Sequence, residues 1–363
     1  MLKYVIRRLV QSIPIFFGIT FFAYLLMWAT PGGPAASLGF GLNARDIERL
    51  KIQLGLNDTF CIQYLRWLTG DDWMRWDGPD EDNLADGVVT LPLGCGSPAL
   101  VNVDGNLLPP GDRYGILRGD FGRSFVQKRP VIAIITERFP ATLELGVLSL
   151  VIGLTVGIVI GVLAAVRQGG WFDNATRVLA VGFDAMPIFF LALMLLLIFG
   201  SALGWLPLGG RCRTTLTDTC PPLHQRLEYL ILPTFALATG AIGGYSRYMR
   251  AAMLDVISND YIRTARAKGL SENQVWFKHG LRNAMIPIAT FLGPAITSLL
   301  AGAVITETIF AWPGVGRVTV GAVTQRDYPV VMAGTVFAAA ATILGYLISD
   351  ILYGLIDPRI RYN

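Results

Sequence analysis

Asp260 to Pro287 reads DYIRTARAKGLSENQVWFKHGLRNAMIP. The stretch is basic: Arg263, Arg266, Lys268, Lys278 and Arg282 stand against Asp260 and Glu272. Yet it separates two runs without charge, Tyr229 to Ser246 and Asn283 to Thr306. Each is near the ~20 residues that cross a bilayer. A polar insert between two such runs must sit in water on one side of the membrane. Its punctuation predicts two short helices. Asp260 can cap the first, and Gly269 suits its left-handed end. Ser271 with Gln274 three positions on is a capping-box pattern for the second. On the first helix Tyr261 and Ala265 share a face, with Arg263 and Arg266 to its side. Small Ala265, Ala267 and Gly269 leave the backbone close to whatever docks there. A short helix with a small-residue face and a basic rim suits another protein's groove. Two plainer readings compete. One is a basic loop that only fixes orientation. The other is a helix-turn-helix DNA reader, which a short loop tethered to the membrane at both ends disfavours.

Outward from this stretch the chain is a series of apolar runs. Leu9 to Thr30 follows Lys3, Arg7 and Arg8. It has the flanks of a signal peptide, and PAAS at Pro34 to Ser37 offers small residues for cleavage. At ~20 residues it is long for a signal core, and an uncleaved first span is expected. Leu145 to Val166, a span from near Val178 to Gly210, and Tyr328 to about Ile356 complete a set of six. These spans must be helical, because a backbone in lipid satisfies its own hydrogen bonds. Composition agrees: 53% of the 363 residues are hydrophobic, 15% are charged, and mean hydropathy is +0.51. That excludes an ordinary soluble domain.

Charge sets the orientation. With both termini inside, the inner segments hold Lys3, Arg7, Arg8, Arg167, Arg177, Arg247, Arg250, the five basic residues of the quoted stretch, Arg359 and Arg361. Only Asp173, Asp255, Asp260, Glu272 and Asp357 oppose them. Short inner loops are rich in Lys and Arg, as the positive-inside rule requires. The expected organisation is an N-terminus and first helix over 1–30, an extracytoplasmic segment over 31–139, and a five-helix core over 140–363 with the basic loop at 255–284. The same topology puts Cys61, Cys95, Cys212 and Cys220 outside, where disulfides persist. Cys212 with Cys220 is the first choice by proximity, and Cys61 with Cys95 follows. Four free thiols is the alternative, since spacing does not fix connectivity. Gly153, Gly157, Gly161 and Ala165 form a small-residue stripe on the second span, and Gly240 and Gly244 do so on the fourth. Such stripes are read as packing faces. The fifth span, with Pro294, Ser298, Ala301 and Gly302, is favoured as pore-lining.

The quoted stretch resembles the cytoplasmic coupling loop of ABC-importer permeases of the dipeptide and oligopeptide family, in its first-permease branch. The general permease pattern is Glu-Ala-Ala, three residues, Gly, nine residues, then Ile-x-Leu-Pro. Aligned on Gly269, its first three positions fall on Arg263, Thr264 and Ala265. Leu281 matches the Leu, while His279 and Arg282 replace Ile and Pro. The branch version is matched more closely at YIRTARAKGLS, Tyr261 to Ser271. The resemblance extends to LKYVIRRL at Leu2, GDFGRSF at Gly119, RFPATLEL at Arg138, FAWPGVGR at Phe310, RDYPVV at Arg326 and DPRIRY at Asp357. The family joins RWL directly to a GDFGRSF-like segment. Here about 45 residues, near 71–114, are inserted, with the acidic DDWMRWDGPDEDNLAD at Asp71 to Asp86. The insertion is either a docking surface for a substrate-delivery protein or a solvated elaboration.

The resemblance implies an all-α integral membrane fold of the plasma (inner) membrane. It also implies a role as one of two related permeases, coupled to two ABC ATPase subunits and served by an extracytoplasmic binding protein. ATP and Mg would sit on the ATPase subunits, and Asp260 to Gly269 would dock on them. Di- and oligopeptides are the expected cargo, with nickel, glutathione and oligosaccharides as alternatives in the branch. The sequence itself offers no ATP site: none of the five lysines follows Gly or precedes Ser or Thr, so there is no phosphate loop. His224 and His279 fall on opposite sides of the membrane, so no metal cluster or nucleophile–base pair is expected. Four acids lie in or near spans, and a charge at mid-membrane needs a partner, water or a function. Asp184, three residues before Pro187, either faces the translocation cavity or makes a structural hydrogen bond. Glu307, before FAWPGVGR, either serves the external gate or reaches the interface. Glu144 and Asp350 are expected to be structural. A secondary transporter or channel is the rival class, and it predicts mid-membrane ion-coupling residues and an internal repeat. Only Asp184 fits the first, and no repeat is seen.

Overall fold

The computed structural model describes residues 2–30, 44–71, 95, 113–213, 220–301 and 303–356. Most of the insertion and the DPRIRY terminus lie outside the described residues. Among the described residues the chain forms helices and no strand; the one β-type contact is an isolated bridge between Arg123 and Pro130. The helices are α1 (Leu2–Trp28), α2 (Ala44–Gln53), α3 (Phe60–Thr69), α4 (Val131–Val166), α5 (Trp171–Ala185), α6 (Ile188–Leu195), α7 (Leu227–Ile257), α8 (Asp260–Ala267), α9 (Glu272–Gln274), α10 (Leu281–Ala301), α11 (Val304–Ile309), α12 (Val315–Thr324) and α13 (Tyr328–Ile356). Wider π-type turns continue α6 over Leu196–Ala202 and link α9 to α10 over Val275–Gly280.

Among the described residues, four helices are long and apolar enough to cross a membrane: α1 over Ile6–Trp28, α4, α7, and α13 over Tyr328–Ile351. The pair α5 and α6 makes a fifth if it is one span, but it bends by 99°. A continuous third span from Val178 to Gly210 therefore does not form. Pro187 lacks an N–H and disfavours helical geometry in the residue before it; Met186 is extended, at φ −83° and ψ 122°. The second helix also starts earlier than its charge-free run, at Val131 rather than Leu145. The expected fifth span to Thr306 is interrupted: α10 ends at Ala301, and Ala303, at ψ 68°, starts α11.

The chain divides into two compact units. The larger comprises Met1–Ile13, Arg138–Arg317 and Ala338–Asn363. Its stripe of Gly153, Gly157 and Gly161 on α4 is a packing face against α7. A Cβ at Gly153 would lie 2.6 Å from the Ala241 Cβ, and one at Gly161 would lie 2.6 Å from the Ser246 carbonyl oxygen. Gly240 and Gly244 behave differently: a Cβ at either meets nothing within 4 Å, so among the described residues the second stripe is not a packing face. Ion pairs Asp173–Arg250 and Asp184–Arg247 tie α5 to α7. Glu144 pairs with Arg211 and Arg226, and Asp350 with Arg8. Cys212 is bonded to Cys220.

The smaller unit comprises Pro14–Glu137 and Val318–Phe337. Tyr24 and Met27 of α1 and Met332 of α13 form its core, with Phe60, Tyr64 and Trp67 of α3 against them. Cys61 is bonded to Cys95. The two ends of the insertion meet here: the Asp71 N–H donates to the Arg113 carbonyl at 2.8 Å, and Arg113 Nε donates to the Asp71 carboxylate at 2.9 Å. Asp327 of RDYPVV accepts hydrogen bonds from the Ser124 hydroxyl and the Phe125 N–H of GDFGRSF, joining two motifs distant in sequence.

Candidate functional site

The basic stretch is an elbow held by its own chain. Ile262 and Ala265 of α8 are buried in a core with Met249 and Met253 of α7, Val275 and Trp276 of the π-type turn, and Ile288 of α10. This changes the expected face. Ala265, 6% exposed, anchors α8 inward and is not free to meet a partner. The outward face carries Asp260, Tyr261, Arg263, Thr264, Ala267 and Lys268. Asp260 is the first helical residue rather than the cap; Asn259 holds the cap position, with no side-chain capping bond. Ser271 precedes α9 but makes no capping bond either, so the capping box is not formed. Gly269 adopts φ +74°, the left-handed end that its sequence predicts. The second helix of the stretch is not separate, since α9, the π-type turn and α10 follow without a break. Arg266 braces the elbow. Its Nε lies 3.1 Å from the Glu272 carboxylate, and its guanidinium sits 4.5 Å from the centre of the Trp276 ring.

A cavity of about 770 Å³ lies among α4, α6, α7, α10 and α11. Leu145, Gly244, Tyr248, Phe291, Pro294 and Glu307 are among its lining residues. Asp184 is not: it is half-exposed and paired with Arg247 at 2.8 Å. Ser298 lies on α10, but its side chain is outside the described residues.

Glu307 is 0% exposed and does not reach an interface. Its Oε1 accepts from the Thr142 hydroxyl at 2.9 Å, and its Oε2 accepts from the Arg317 N–H at 2.9 Å. The Gly316 N–H also points to it. The carboxylate thus sits at the N-terminus of α12, where unpaired N–H groups and the helix dipole favour an anion. FAWPGVGR is built for this contact. A Cβ at Gly314 would come within 2.2 Å of the carboxylate, and one at Gly316 within 2.9 Å. Trp312, fully buried, donates its indole N–H to the Ala141 carbonyl at 2.8 Å. RFPATLEL and FAWPGVGR are therefore two halves of one joint. The sequence signalled it only through the resemblance carried by the two motifs; Tyr248 and Phe291 carried no signal.

Comparison with known proteins fits this architecture. Residues 157–362 match the family model "Binding-protein-dependent transport system inner membrane component", and residues 1–74 match the N-terminal model of the same transport systems. The oligopeptide transport system permease protein AppB of Bacillus subtilis is 39% identical over 100% of both chains. The di/tripeptide permease protein DppB of Pseudomonas aeruginosa and the glutathione permease protein GsiC of Escherichia coli K12 are each 34% identical, again over 100% of both chains. The chain belongs to the binding-protein-dependent transport system inner membrane component family. It is a multi-pass permease subunit of an ABC importer in the inner membrane, a transport component rather than an enzyme.

Proposed function

We propose that this subunit, with a second homologous permease, forms the path by which di- and oligopeptides cross the membrane. An extracytoplasmic binding protein delivers them, and two ABC ATPase subunits, which carry ATP and Mg, drive the step. Six spans with both termini cytoplasmic complete the reading: α1, α4, the α5–α6 pair, α7, α10 with α11, and α13, with a large extracytoplasmic segment after the first. Basic residues on the short inner loops support this orientation. Exposed Phe22, Leu26, Val178 and Phe190 are suited to lipid. The permease core covers 140–363, and its coupling loop covers 255–284. Peptide cargo is supported by the names of the relatives, AppB and DppB. Glutathione, the substrate in GsiC's name, is itself a small peptide.

The observation that carries the coupling role is the split of α8 into an inward anchor, Ile262 and Ala265, and an outward basic face. ATP-driven closure of the ATPase pair moves that face. The motion passes through the π-type turn into α10, which lines the cavity, and rocks the core between inward- and outward-open states. Glu307 and α10 adjoin the proposed path; Asp184 serves as a brace to α7.

The test uses outward residues. Ala265→Glu buries a charge and Gly269→Arg strains a left-handed backbone, so either would act through folding. Arg263→Glu and Ala267→Glu on the exposed face avoid both. Membrane insertion at wild-type level with uptake reduced at least ~10-fold and uncoupled from ATP hydrolysis is the expected result. Wild-type uptake in both variants sinks the docking role.

A further inference from the structure

The cavity's chemistry is more specific than a generic path. Among its described lining residues there is no lysine, arginine or histidine. Glu307, its acidic residue, is fully buried, with its oxygens committed to Thr142 and to the start of α12. The remaining wall is mostly apolar and aromatic, with hydroxyls from Ser149, Thr297 and Thr306 among it. Tyr248 of α7 and Phe291 of α10 lie with ring centroids 4.1 Å apart, tilted by 30°, and both line the space. At about 770 Å³ the cavity lies within the ~300–1,000 Å³ that holds small ligands. A charged side chain entering it would exchange water for a few neutral hydroxyls and a carboxylate whose oxygens are already engaged, which is costly. A ring or branched aliphatic side chain would gain burial and an aromatic contact.

Gly244 adds an independent observation. It lines the cavity, its φ is not left-handed, and a Cβ there would meet nothing within 4 Å. Neither backbone conformation nor packing among the described residues requires glycine at that position. What the missing side chain preserves is room beside Tyr245 and Tyr248.

We propose that this cavity is a transit subsite that accepts the apolar or aromatic side chain of a passing peptide, and that Gly244 keeps it open. The proposal rests on the peptide-importer reading above and assigns a side-chain class to the permease itself.

The experiment reconstitutes the full transporter in liposomes with wild-type, Gly244→Leu or Gly244→Asp permease. It follows uptake of the dipeptides Ala-Ala, Ala-Phe and Ala-Lys beside binding-protein-stimulated ATP hydrolysis. Gly244→Leu fills the space and is expected to lower Ala-Phe uptake ~10-fold while Ala-Ala falls less than ~3-fold. Gly244→Asp puts a carboxylate on the wall and is expected to raise the Ala-Lys to Ala-Phe ratio at least ~10-fold. ATP hydrolysis stays within ~2-fold of wild type in both. Unchanged ratios among the three peptides in both variants overturn the subsite. Equal loss of all three peptides together with ATP hydrolysis assigns Gly244 to assembly and overturns it too. A wild-type transporter that moves none of the dipeptides refutes the peptide reading itself, and the subsite with it.

Discussion

The Thr142 hydroxyl donates to Oε1 of Glu307 at 2.9 Å across 165 positions of sequence, and the same oxygen of Thr142 accepts the Val315 N–H at 2.8 Å. One threonine therefore locks α4 to the start of α12 through a buried carboxylate. Glu307→Ala removes the acceptor from the Thr142 hydroxyl and the Arg317 N–H at once, and each unmet buried donor costs ~1–3 kcal/mol. Glu307→Gln keeps the shape and one acceptor and should lose less. Gly314→Ala should match the Ala variant at 307, because its Cβ would sit 2.2 Å from the carboxylate and overpacking costs ~1–3 kcal/mol. Thermal unfolding of the purified, detergent-solubilised protein checks the order. Equal midpoints for the Gln and Ala variants would show that the carboxylate is not the joint.

Two glycine stripes with the same spacing should respond oppositely. Gly161→Ala drives a Cβ to 2.6 Å from the Ser246 carbonyl, so α4 and α7 must separate at a cost of ~1–3 kcal/mol. Gly240→Ala meets nothing within 4 Å and should fall within ~0.5 kcal/mol of wild type. The same melting measurement decides, and similar losses at both positions would place a neighbour on Gly240.

These stripes show what the sequence can and cannot reveal. A four-residue repeat of glycine marks a face, but not what covers it; Gly161 has α7 against it, and Gly240 does not. Hydropathy located α1, α4, α7 and α13, because length and apolarity are local properties. It merged α5 with α6, since a single Met186–Pro187 break does not interrupt an apolar run. Charge and Gly269 marked the elbow. The inward turn of Ala265 depends on Met249, Trp276 and Ile288, residues that meet it only in the fold. Asp184 and Glu307 looked alike as lone acids, and their opposite environments are set by Arg247 and Thr142, neither near in sequence.

Arg66 holds the base of the insertion together. Its side chain is 1% exposed and holds Asp58 at 2.7 Å and Asp71 at 2.8 Å, both also buried. Burial works against its charge, but the hydrogen bonds and charges of Asp71 and Asp58 outweigh it and hold the guanidinium above its ordinary value. Arg66→Met removes the buried guanidinium that both carboxylates share, and ~3–5 kcal/mol of destabilisation is expected. Limited proteolysis should then cut within 44–71, where wild type is expected to resist. By contrast, replacing 72–112 with a short glycine bridge, with Cys61→Ser to remove the orphaned thiol, should leave that resistance intact, because Asp71 and Arg113 already meet. Cleavage in the shortened chain would mean that the insertion supports its base.

The elbow brace tests force transmission apart from stability. Arg266 and Glu272 are both substantially exposed, so their ion pair is worth ~0–1 kcal/mol, and the contact with Trp276 adds ~0.5–1 kcal/mol. Arg266→Ala should therefore shift the melting midpoint only slightly. Its mechanical effect should be larger. On the proposed coupling role, α8 without the brace would pivot on Ile262 and Ala265, and part of its displacement would be absorbed before it reached Trp276 and α10. Uptake should fall several-fold more than binding-protein-stimulated ATP hydrolysis, so that more ATP is spent per substrate moved. Arg266→Lys keeps the charge but not the planar stack or the fork, and should recover part of the coupling. Parallel loss of uptake and hydrolysis would return Arg266 to the docking face; no loss of either would leave it a surface residue without a mechanical part.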